Sequence, residues 1–278
     1  MAKYFVGTAG WSYEDWDGIV YPAAKARGFH ALSYLPAFID IVEVNSTFYR
    51  PAPPAMVRSW LKKLEGRPEF LLSLKLFQAF THAREGFAQK DVDDVRQAAD
   101  LVRLQGRLAA LLAQFPWSFR NTPENTEYLR RLFKTFAGYP LAVEVRHAGW
   151  DDPAFYGLLE EHGAAFCNID QPVIGESIGP SAVSTNPDFA YVRLHGRNAR
   201  AWFSREAGRD EKYDYLYSME ELEGWVEAAR TMDAERVYVI ANNHFQGKAV
   251  VNALQLKRAL GQAVEIPESV RAAYGNVV

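Results

Sequence analysis

The sequence predicts an α/β protein built as one (β/α)8 barrel, the TIM-barrel type of fold. Eight short apolar runs rich in β-branched residues alternate with longer segments of helical periodicity. Strands that alternate with helices pair in parallel through right-handed crossovers, and eight such units fit within 278 residues. A doubly wound open sheet is the alternative. The runs span residues 3–8, 40–45, 70–76, 107–115, 141–147, 164–170, 190–196 and 236–242.

Helical segments are predicted between most of these strands. Thr122 and Asp91 stand where N-caps are expected, and Pro123 follows at a first helical position. The connection over residues 171–187 is rich in Gly, Pro and Ser and predicts no helix. No linker or fixed-period repeat interrupts the pattern, so we expect one domain over residues 1–278. The predicted helices are Pro54–Leu64, Val92–Leu104, Glu124–Phe136, Pro153–His162, Glu220–Met232 and Gly247–Leu260.

Composition and charge exclude several classes of protein. A net charge of −3 and a pI near 6.1 give no general basic field for nucleic acids, so a nucleic-acid partner would need a local basic patch. The single Cys167 rules out an internal disulfide, and its apolar neighbours predict a buried thiol. The first residues lack the apolar core of a signal peptide, and no run is long enough to span a membrane. We therefore expect a cytoplasmic protein without a membrane partner.

Polar residues recur at alternate positions towards the ends of the predicted strands. In VEVNSTFYR, which begins at Val42, the side chains of Glu43, Asn45 and Thr47 share one side, while Val42 and Val44 share the other. Alternate residues of each strand line a barrel interior, and active sites lie at its C-terminal mouth. We expect the polar set to converge there. Its other members are Ser73, Lys75, Gln114, Glu144, Arg146, Asn168, Asp170, Arg193, His195 and either Asn242 or Asn243.

Buried ion pairs are a purely structural explanation of the same charges. Glu43 with Lys75, and Glu144 with Arg146, would be such pairs. However, the desolvation of buried charges often exceeds their Coulomb attraction, so stability alone is a poor reason to group three acids with three bases. We therefore interpret the cluster as a functional site.

The cations of this cluster predict an anionic substrate. Lys75, Arg146 and Arg193 would lie together at the mouth, and the planar fork of arginine suits phosphate because it binds two oxygens. We expect a small-molecule or nucleotide-like anionic substrate, with a nucleic acid as the other possible partner.

A long arginine-rich segment follows strand seven. Residues 192–210 contain five arginines, at a position where barrels frequently bind phosphate. The segment is too long for a simple connection, which suggests a lid or a binding loop. We expect Arg197, like Arg193 beside His195, to contact the ligand. Arg205 and Arg209 are expected to pair with nearby acidic residues in solvent.

Aromatic residues follow several strands and predict a surface that stacks on a ring. Trp11, Tyr49 and Trp150 are the candidates, with Asn45 and the asparagines of strand eight orienting the ligand. The stretch GTAGWSYEDW is glycine-rich but is neither GxGxxG nor a P-loop, and the chain has no G-x-S-x-G elbow.

Several blocks of the sequence resemble the YecE-like family, also called domain of unknown function 72 (DUF72). The blocks are GTAGWSY, VEVNSTFYR, SLKLFQAFTH, LAVEVRHAGW, YVRLHGR and YVIANNHFQGKAVVNA, and they extend from residue 6 to about residue 260. The resemblance implies a TIM-barrel-type fold and little about the reaction. The strand-end residues within these blocks are Glu43, Asn45, Lys75, Glu144, Arg146, Arg193, His195, Asn242 and Asn243.

The leading hypothesis is a hydrolase of a phosphodiester or sugar-phosphate bond that needs no cofactor. The three cations would hold the anion and stabilise charge that develops in the transition state. His195 would be the general acid or base, with Glu43 or Glu144 as the partner in the second proton transfer.

Three alternatives stay open at this stage. A glycoside hydrolase would use Glu43 and Glu144 as a carboxylate pair, about 5–10 Å apart and with neither acid locked to a cation. A metal-assisted isomerase or hydrolase would bind a divalent metal at Glu144, Asp170 and His195, against the repulsion of the nearby cations. A non-catalytic binder of nucleotide or nucleic acid would use the arginines and the aromatic residues.

Overall fold

Eight parallel strands close into a barrel, which confirms the predicted fold and excludes the open sheet. The computed structural model describes residues 2–84, 86–202 and 208–277. Each strand pairs with the next along the chain, and the last pairs with the first. The strands are β1 (Lys3–Ala9), β2 (Ile41–Val44), β3 (Leu71–Lys75), β4 (Leu108–Gln114), β5 (Leu141–Glu144), β6 (Ala164–Asp170), β7 (Phe189–Leu194) and β8 (Arg236–Ala241).

The α-helices surround this barrel. In the described part of the chain they are α1 (Ala31–Tyr34), α2 (Pro54–Lys63), α3 (Gln89–Arg103), α4 (Pro123–Thr135), α5 (Pro153–Glu161), α6 (Ala199–Trp202), α7 (Arg209–Lys212), α8 (Met219–Thr231), α9 (Lys248–Ala259) and α10 (Glu268–Tyr274). The six predicted helices correspond to α2, α3, α4, α5, α8 and α9. The other four are one or two turns long, too short to show a helical period.

The predicted helix starts and the long connection can now be compared with the structure. The hydroxyl of Thr122 accepts a hydrogen bond from the Asn125 N–H at 3.3 Å, so the predicted N-cap of α4 is confirmed. The N-cap prediction for Asp91 is wrong, because α3 begins at Gln89 and Asp91 lies in its first turn. A carboxylate is favourable in either position, next to the free N–H groups of a helix start. Residues 171–187 contain no helix, as predicted.

Apolar side chains fill the layer between the strands and the helices. Val42 and Val44 are fully buried, and α9 buries every residue from Ala249 to Lys257. Strands β1 and β2 approach closely at Gly7, where a Cβ atom would lie 1.7 Å from the carbonyl oxygen of Ile41. Any other residue at Gly7 would force these two strands apart. Among the described residues, no helix is long and apolar enough to cross a membrane.

Strand register determines which polar residues point into the barrel. Glu43 lies beside Ser73, and Gln114 lies beside Glu144. Residues that are paired across neighbouring strands point to the same side of the sheet. These four side chains therefore form part of one inner layer, as the alternating pattern predicts.

The same register settles the orientation of the asparagines after β8. Arg193 on β7 lies beside Ile240 on β8, so both point inward. Asn242, two residues after Ile240, lines the mouth and contacts a ring nitrogen of His195. Asn243 instead donates to the carbonyl oxygen of Tyr215 at 2.7 Å, outside the barrel.

The inward orientation predicted for β6 is wrong. Cys167 pairs with Tyr191 and Ile169 pairs with Arg193, so these apolar residues of β6 face the interior. Asn168 and Asp170 therefore face the helices. Their polar groups are satisfied there: Asn168 donates to the Val183 carbonyl at 2.9 Å, and Asp170 accepts from α8. The free thiol of Cys167 is buried, as predicted.

Candidate active site at the barrel mouth

The floor of the mouth is a buried network of charges, centred on one arginine. Arg193 Nη2 donates to Glu43 Oε1 at 2.6 Å, and Arg193 Nη1 donates to Glu144 Oε2. Both carboxylates are fully buried. Strands β2 and β5 therefore each contribute one acid to opposite sides of a single guanidinium from β7. We call Glu43, Glu144, Arg193 and His195 the floor network.

Each acid of the floor network has a second partner. Tyr191, two residues before Arg193 on β7, donates its hydroxyl to Glu43 Oε2 at 3.0 Å and lies 2.9 Å from the Ser73 hydroxyl. Glu144 Oε1 accepts from Arg146 Nε at 2.9 Å. Charge-assisted hydrogen bonds of this kind compensate the carboxylates for their lost hydration.

His195 completes the network and is held in one tautomer. Asn242 Nδ2 donates to His195 Nδ1 at 2.8 Å, and His195 Nε2 lies 3.3 Å from Glu144 Oε1. Because Nδ1 accepts from the amide, the proton of the neutral ring is placed on Nε2, facing Glu144. His195 has no exposed surface and lines neither of the cavities described below.

The electrostatics of the floor network favour ionised acids and a neutral histidine. Burial by itself would raise the pKa of Glu144, but Arg193 and Arg146 hold this pKa well below its ordinary value. Burial opposes the charge of Arg193, yet Glu144 and Glu43 raise its pKa. Burial lowers the pKa of His195 to about 3, against an opposing effect of Glu144. His195 is therefore uncharged at neutral pH.

A cavity of about 530 Å³ lies above the floor network. Its charged lining residues in the described part of the chain are Lys75, Arg146 and Arg193, together with the titratable His244, and no carboxylate lines it there. Glu43 and Glu144 do not line the cavity because they lie beneath it, where both bind Arg193 and Glu144 also binds Arg146. The cavity is lined by Gly10, Trp11, Ser12, Tyr13, Asn45, Ser46, Phe48, Tyr49, Met56, Trp60, Lys75, Gln114, Arg146, Arg193, Tyr213, Asn242 and His244.

Lys75 ends β3 and brings an amine to the wall of this cavity. Its Nζ lies 4.3 Å from the centre of the Phe48 ring. Thr47 anchors this corner, since its hydroxyl lies 2.6 Å from the Lys75 carbonyl oxygen and 2.8 Å from that of Val44. Burial, and next the charge of Arg193, lower the pKa of Lys75 to about 8.

Aromatic side chains form the remaining walls. Trp11 packs edge-on against Trp60 of α2, with ring centres 5.8 Å apart. Tyr13 stacks on His244 at 4.4 Å with nearly parallel planes. Tyr49 is 62% exposed, so its ring stands at the rim of the cavity.

A second cavity of about 310 Å³ adjoins the first and shares Gln114, Arg146 and Tyr213 with it. Trp202 forms one side, with its ring centre 5.5 Å from the Arg146 guanidinium carbon. Its lining residues are His82, Gln114, Pro116, Trp117, Arg146, Gln171, Ser177, Trp202 and Tyr213. Arg146 therefore borders both cavities.

Most of the predicted mouth residues are brought together in this way. The residues that line a cavity are Trp11, Asn45, Tyr49, Lys75, Gln114, Arg146, Arg193 and Asn242. Those that support it from the buried floor are Glu43, Glu144 and His195. Their roles in binding or catalysis stay predictions.

Asp170 and Arg197 form a separate cluster outside the barrel. Arg197 Nη2 donates to Asp170 Oδ2 at 2.7 Å, and Arg197 Nη1 donates to Glu221 Oε1 at 3.1 Å. Trp225 of α8 donates to the same carboxylate of Asp170 at 2.6 Å. The expectation that Asp170 and Arg197 face the mouth is therefore not met: these contacts tie β6, the segment after β7, and α8 together.

Three further predicted binding residues have structural contacts instead of a place at the mouth. Trp150 is fully buried, stacks on Phe119 at 5.2 Å and donates to its carbonyl oxygen. Asn243 is buried against the loop that contains Tyr215, and Thr47 fixes the turn after β2. Each follows a strand closely, but a position in the chain does not distinguish the mouth from the layer beneath its loops.

The structure adds residues that the strand pattern does not reveal. Met56 and Trp60 reach the cavity from the first turns of α2, four residues apart on one helical face. Tyr213 comes from the region after β7. Tyr191 shares the parity of Arg193, so the alternating pattern points to its inward position.

Part of the arginine-rich segment lies outside the described residues. Residues 203–207, which include Arg205, belong to that part, as does the side chain of Arg209. The predicted lid, and the predicted solvent pairing of these two arginines, therefore stay predictions.

The arrangement disfavours two of the alternatives. The glycosidase hypothesis requires carboxylates that are free of cations, but Glu43 and Glu144 are both bound to Arg193 beneath the cavity. The metal hypothesis requires Asp170 to join Glu144 and His195, but Asp170 faces the helices. Where the structure describes side chains, no three His, Cys, Asp or Glu groups come together as metal ligands.

Comparisons with known proteins identify relatives along nearly the whole chain. The family model described as "Protein of unknown function DUF72" matches residues 5–273. UPF0759 protein YunF of Bacillus subtilis (strain 168) is 29% identical over 271 residues, which are 92% of this chain and 94% of that protein.

Solved structures agree with the fold. A DUF72 family protein from Thermotoga maritima is 35% identical, with a TM-score of 0.81 over 94% of this chain and 100% of that chain. One from Enterococcus faecalis is 25% identical, with a TM-score of 0.82 over 94% of this chain and 97% of that chain. These names describe a family and no activity.

Proposed function

We propose that this chain, which belongs to the DUF72 family of proteins of unknown function, is an enzyme. Its substrate is a phosphate-bearing small molecule such as a sugar phosphate or a nucleotide. One observation carries this proposal. The described charged residues that line the mouth cavity, Lys75, Arg146 and Arg193, are all cationic, although the whole chain has a net charge of −3. A site that concentrates positive charge within an acidic protein is suited to an anion.

Arg146 is the residue best placed to contact the phosphate. It borders both cavities and keeps some exposed surface, whereas Arg193 is almost completely buried. Glu144 holds the guanidinium through Nε and Nη2, at 2.9 and 2.8 Å. This orientation leaves the remaining N–H groups for a ligand, and a guanidinium that is already oriented loses less entropy on binding.

The walls of the cavity suit the organic part of such a substrate. Trp11, Tyr13 and Tyr49 offer ring faces and edges on which a base or a sugar ring can stack. Asn45 and Gln114 supply amide groups that can orient hydroxyls. A volume of about 530 Å³ is that of a typical small-molecule pocket.

Hydrolysis of a phosphate ester is the reaction class that this site favours. Phosphoryl transfer depends mainly on positioning and on stabilisation of charge on the phosphoryl oxygens, which Arg146 and Lys75 would supply. His195 is not placed to exchange a proton with a ligand in the cavity. Its ring is buried behind Arg146, and its Nδ1 and Nε2 are both engaged within the floor network.

A thermal-shift panel of matched ligands tests the proposal. The pairs are glycerol 3-phosphate with glycerol, ribose 5-phosphate with ribose, and AMP with adenosine, each with chelator and with Mg²⁺. A ligand that binds the folded state raises the Tm by mass action. We expect the phosphorylated member of at least one pair to raise the Tm of the wild type, and Arg146→Met to weaken its binding by about tenfold to a hundredfold.

Arg130→Met is the matched control, because Arg130 forms an exposed ion pair with Glu161 away from the mouth. Equal stabilisation by the neutral members, or equal weakening by the control, would contradict the anion site. Turnover of the bound ligand is followed by phosphorus NMR, with inorganic phosphate as the expected product. Binding without any change in the phosphorus signals would make the protein a binder and not a hydrolase.

A further inference from the structure

Lys75 differs from the other cations of the mouth in having no acidic partner. No carboxylate oxygen of a described residue lies within 4.0 Å of its Nζ, whereas Arg193 and Arg146 each hold Glu144. Its contact is the face of the Phe48 ring at 4.3 Å. By contrast Lys257, a buried lysine of α9, pairs with Asp40. Lys75 is thus a sheltered amine that lines an open cavity.

The surroundings of Lys75 favour its neutral form. Burial comes first and the guanidinium of Arg193 second in lowering the pKa of Lys75 to about 8, with a smaller effect of Arg146 in the same direction. Glu43 and Glu144 oppose this shift, but both are bound to the arginines. At pH 7 about a tenth of such an amine is neutral, against roughly one part in three thousand for an ordinary lysine.

Other nucleophiles of the chain are less suitable. Ser12 and Ser46 line the same cavity, but neither hydroxyl is hydrogen-bonded to a basic side chain among the described residues. The thiol of Cys167 is buried inside the barrel, where burial raises its pKa well above the ordinary value. Compared with these described groups, the amine of Lys75, with its partial neutral character, is the better activated nucleophile.

We propose that Lys75 forms an imine with the carbonyl carbon of a phosphorylated carbonyl compound, such as an open-chain ketose or aldose phosphate. The anion contact of this substrate with Arg146 rests on the proposed function. The new element is the reaction of Lys75 with the carbonyl group at the other end of the substrate. Lysines whose charge is disfavoured in a cavity commonly serve as Schiff-base nucleophiles.

The step needs no oxidant and no further reactant. The lone pair of Nζ attacks the carbonyl carbon, a C–N bond forms, and the π electrons of the C=O bond move to the oxygen, which takes a proton. That proton, and a second one that turns the hydroxyl group into the departing water, are the two protons that the nitrogen gives up through water as the C=N bond forms, so the amine and the carbonyl become an imine and one water molecule. The imine weakens bonds at the neighbouring carbon, so the substrate has a second reacting centre at its carbonyl end, and Arg146 alone then holds the phosphate.

Reductive trapping tests this inference on the wild-type protein. The protein is incubated at pH 7 with sodium cyanoborohydride, which reduces imines, and with dihydroxyacetone phosphate, dihydroxyacetone or glycerol 3-phosphate. Adducts are located by peptide mass spectrometry, and the exposed Lys62 and Lys134 of the same molecule serve as internal controls. With dihydroxyacetone phosphate we expect Lys75 to be modified at least about tenfold faster than these two lysines.

Two variants separate the amine from the charge. Lys75→Arg keeps a cation in the cavity but cannot form an imine, so it should still be stabilised by glycerol 3-phosphate and give no adduct at position 75. Arg146→Met keeps the amine, and its adduct with dihydroxyacetone phosphate should form about tenfold more slowly than in the wild type.

The outcomes distinguish this inference from the proposed function. An adduct on Lys75 that forms equally well with dihydroxyacetone and with its phosphate would support the imine and overturn the anion site. Stabilisation by glycerol 3-phosphate with no faster labelling of Lys75 than of Lys62 would support the anion site and overturn the imine. Failure of both would overturn both.

Discussion

The floor network and the cavity above it differ in how their charged groups are paired. In the floor network, every charged group has an opposite partner within hydrogen-bond distance, and Glu43 and Glu144 share Arg193. In the cavity, Lys75 has no such partner among the described residues and Arg146 has spare donors. With Arg146, which also holds Glu144, the charges of the floor network sum to zero, and Lys75 gives the cavity a net positive face.

This difference shows how a barrel mouth that contains acids as well as bases can select an anion. The acids lie beneath the cavity, and their two negative charges are paired with two arginines, Arg193 and Arg146. Their negative charge then supports Arg193 and Arg146 from beneath without facing the substrate. The excess of one cation and the buried position of both acids together make the surface that a ligand meets positive.

The largest expected effect comes from removing the centre of the floor. Arg193→Met leaves Glu43 buried without a countercharge and Glu144 with Arg146 alone, so we expect the free energy of unfolding to fall by about 3–5 kcal/mol. Denaturant unfolding monitored by tryptophan fluorescence measures it. Arg130→Met, which breaks an exposed ion pair, should cost less than about 1 kcal/mol.

A compensating variant shows whether the cost is electrostatic. Adding Glu43→Gln and Glu144→Gln to Arg193→Met removes the uncompensated charges, so about half of the lost stability or more should return. If the triple variant is no more stable than Arg193→Met, the floor acts through packing and the description of it as a charge network is wrong.

A smaller effect concerns pH and His195. Its pKa is lowered from 6.5 to about 3 in the folded protein. Between pH 3 and pH 6.5 the unfolded chain therefore binds a proton that the folded protein does not. The stability that His195 contributes is complete above pH 6.5 and is lost as the pH falls towards 3, by about 1.4 kcal/mol per pH unit. His195→Gln should show a shallower loss of unfolding free energy between pH 6.5 and 5 than the wild type, a range above the ordinary titration of Glu144. Equal slopes would show that His195 is not the group responsible.

The smallest effect is a gain in stability within the cavity. The folded state disfavours the ammonium form of Lys75, whose pKa falls from 10.5 to about 8. Its cost to stability is present below pH 8 and disappears as the pH rises to 10.5. Lys75→Met should therefore raise the unfolding free energy at pH 7 by about 1 kcal/mol, with a smaller difference at pH 10. Lower stability of the variant at pH 7 would mean that the amine is paired in solution.

The sequence predicts the fold well because the strand and helix periods repeat eight times. The eight strand runs and six long helices are recovered with ends that differ by a few residues. The alternation and the count of eight units favour the closed barrel, and the pairing of β1 with β8 excludes the open sheet. Helices of one or two turns such as α1 are missed because four residues cannot display a period.

The site is predicted less completely, and β6 shows why. Residue alternation identifies two faces of a strand but not which face is inward, unless one face is clearly apolar. On β6 the apolar set, Cys167 and Ile169, faces the interior, while Asp170 meets Arg197 and Trp225 outside. Those partners are distant in sequence, so only the folded chain reveals them. For Glu43, alternation likewise predicts the inner face of β2 but does not show that its side chain is fully buried beneath the cavity.

The most direct test of the central claim is a comparison of two affinities of the wild-type protein by isothermal titration calorimetry. Ribose 5-phosphate and ribose differ by the phosphate alone and are titrated at the same pH and ionic strength. If the cavity presents a net positive face, the phosphate ester should bind at least about tenfold more tightly, and this advantage should shrink with added salt. Equal affinities, or tighter binding of ribose, would contradict the account.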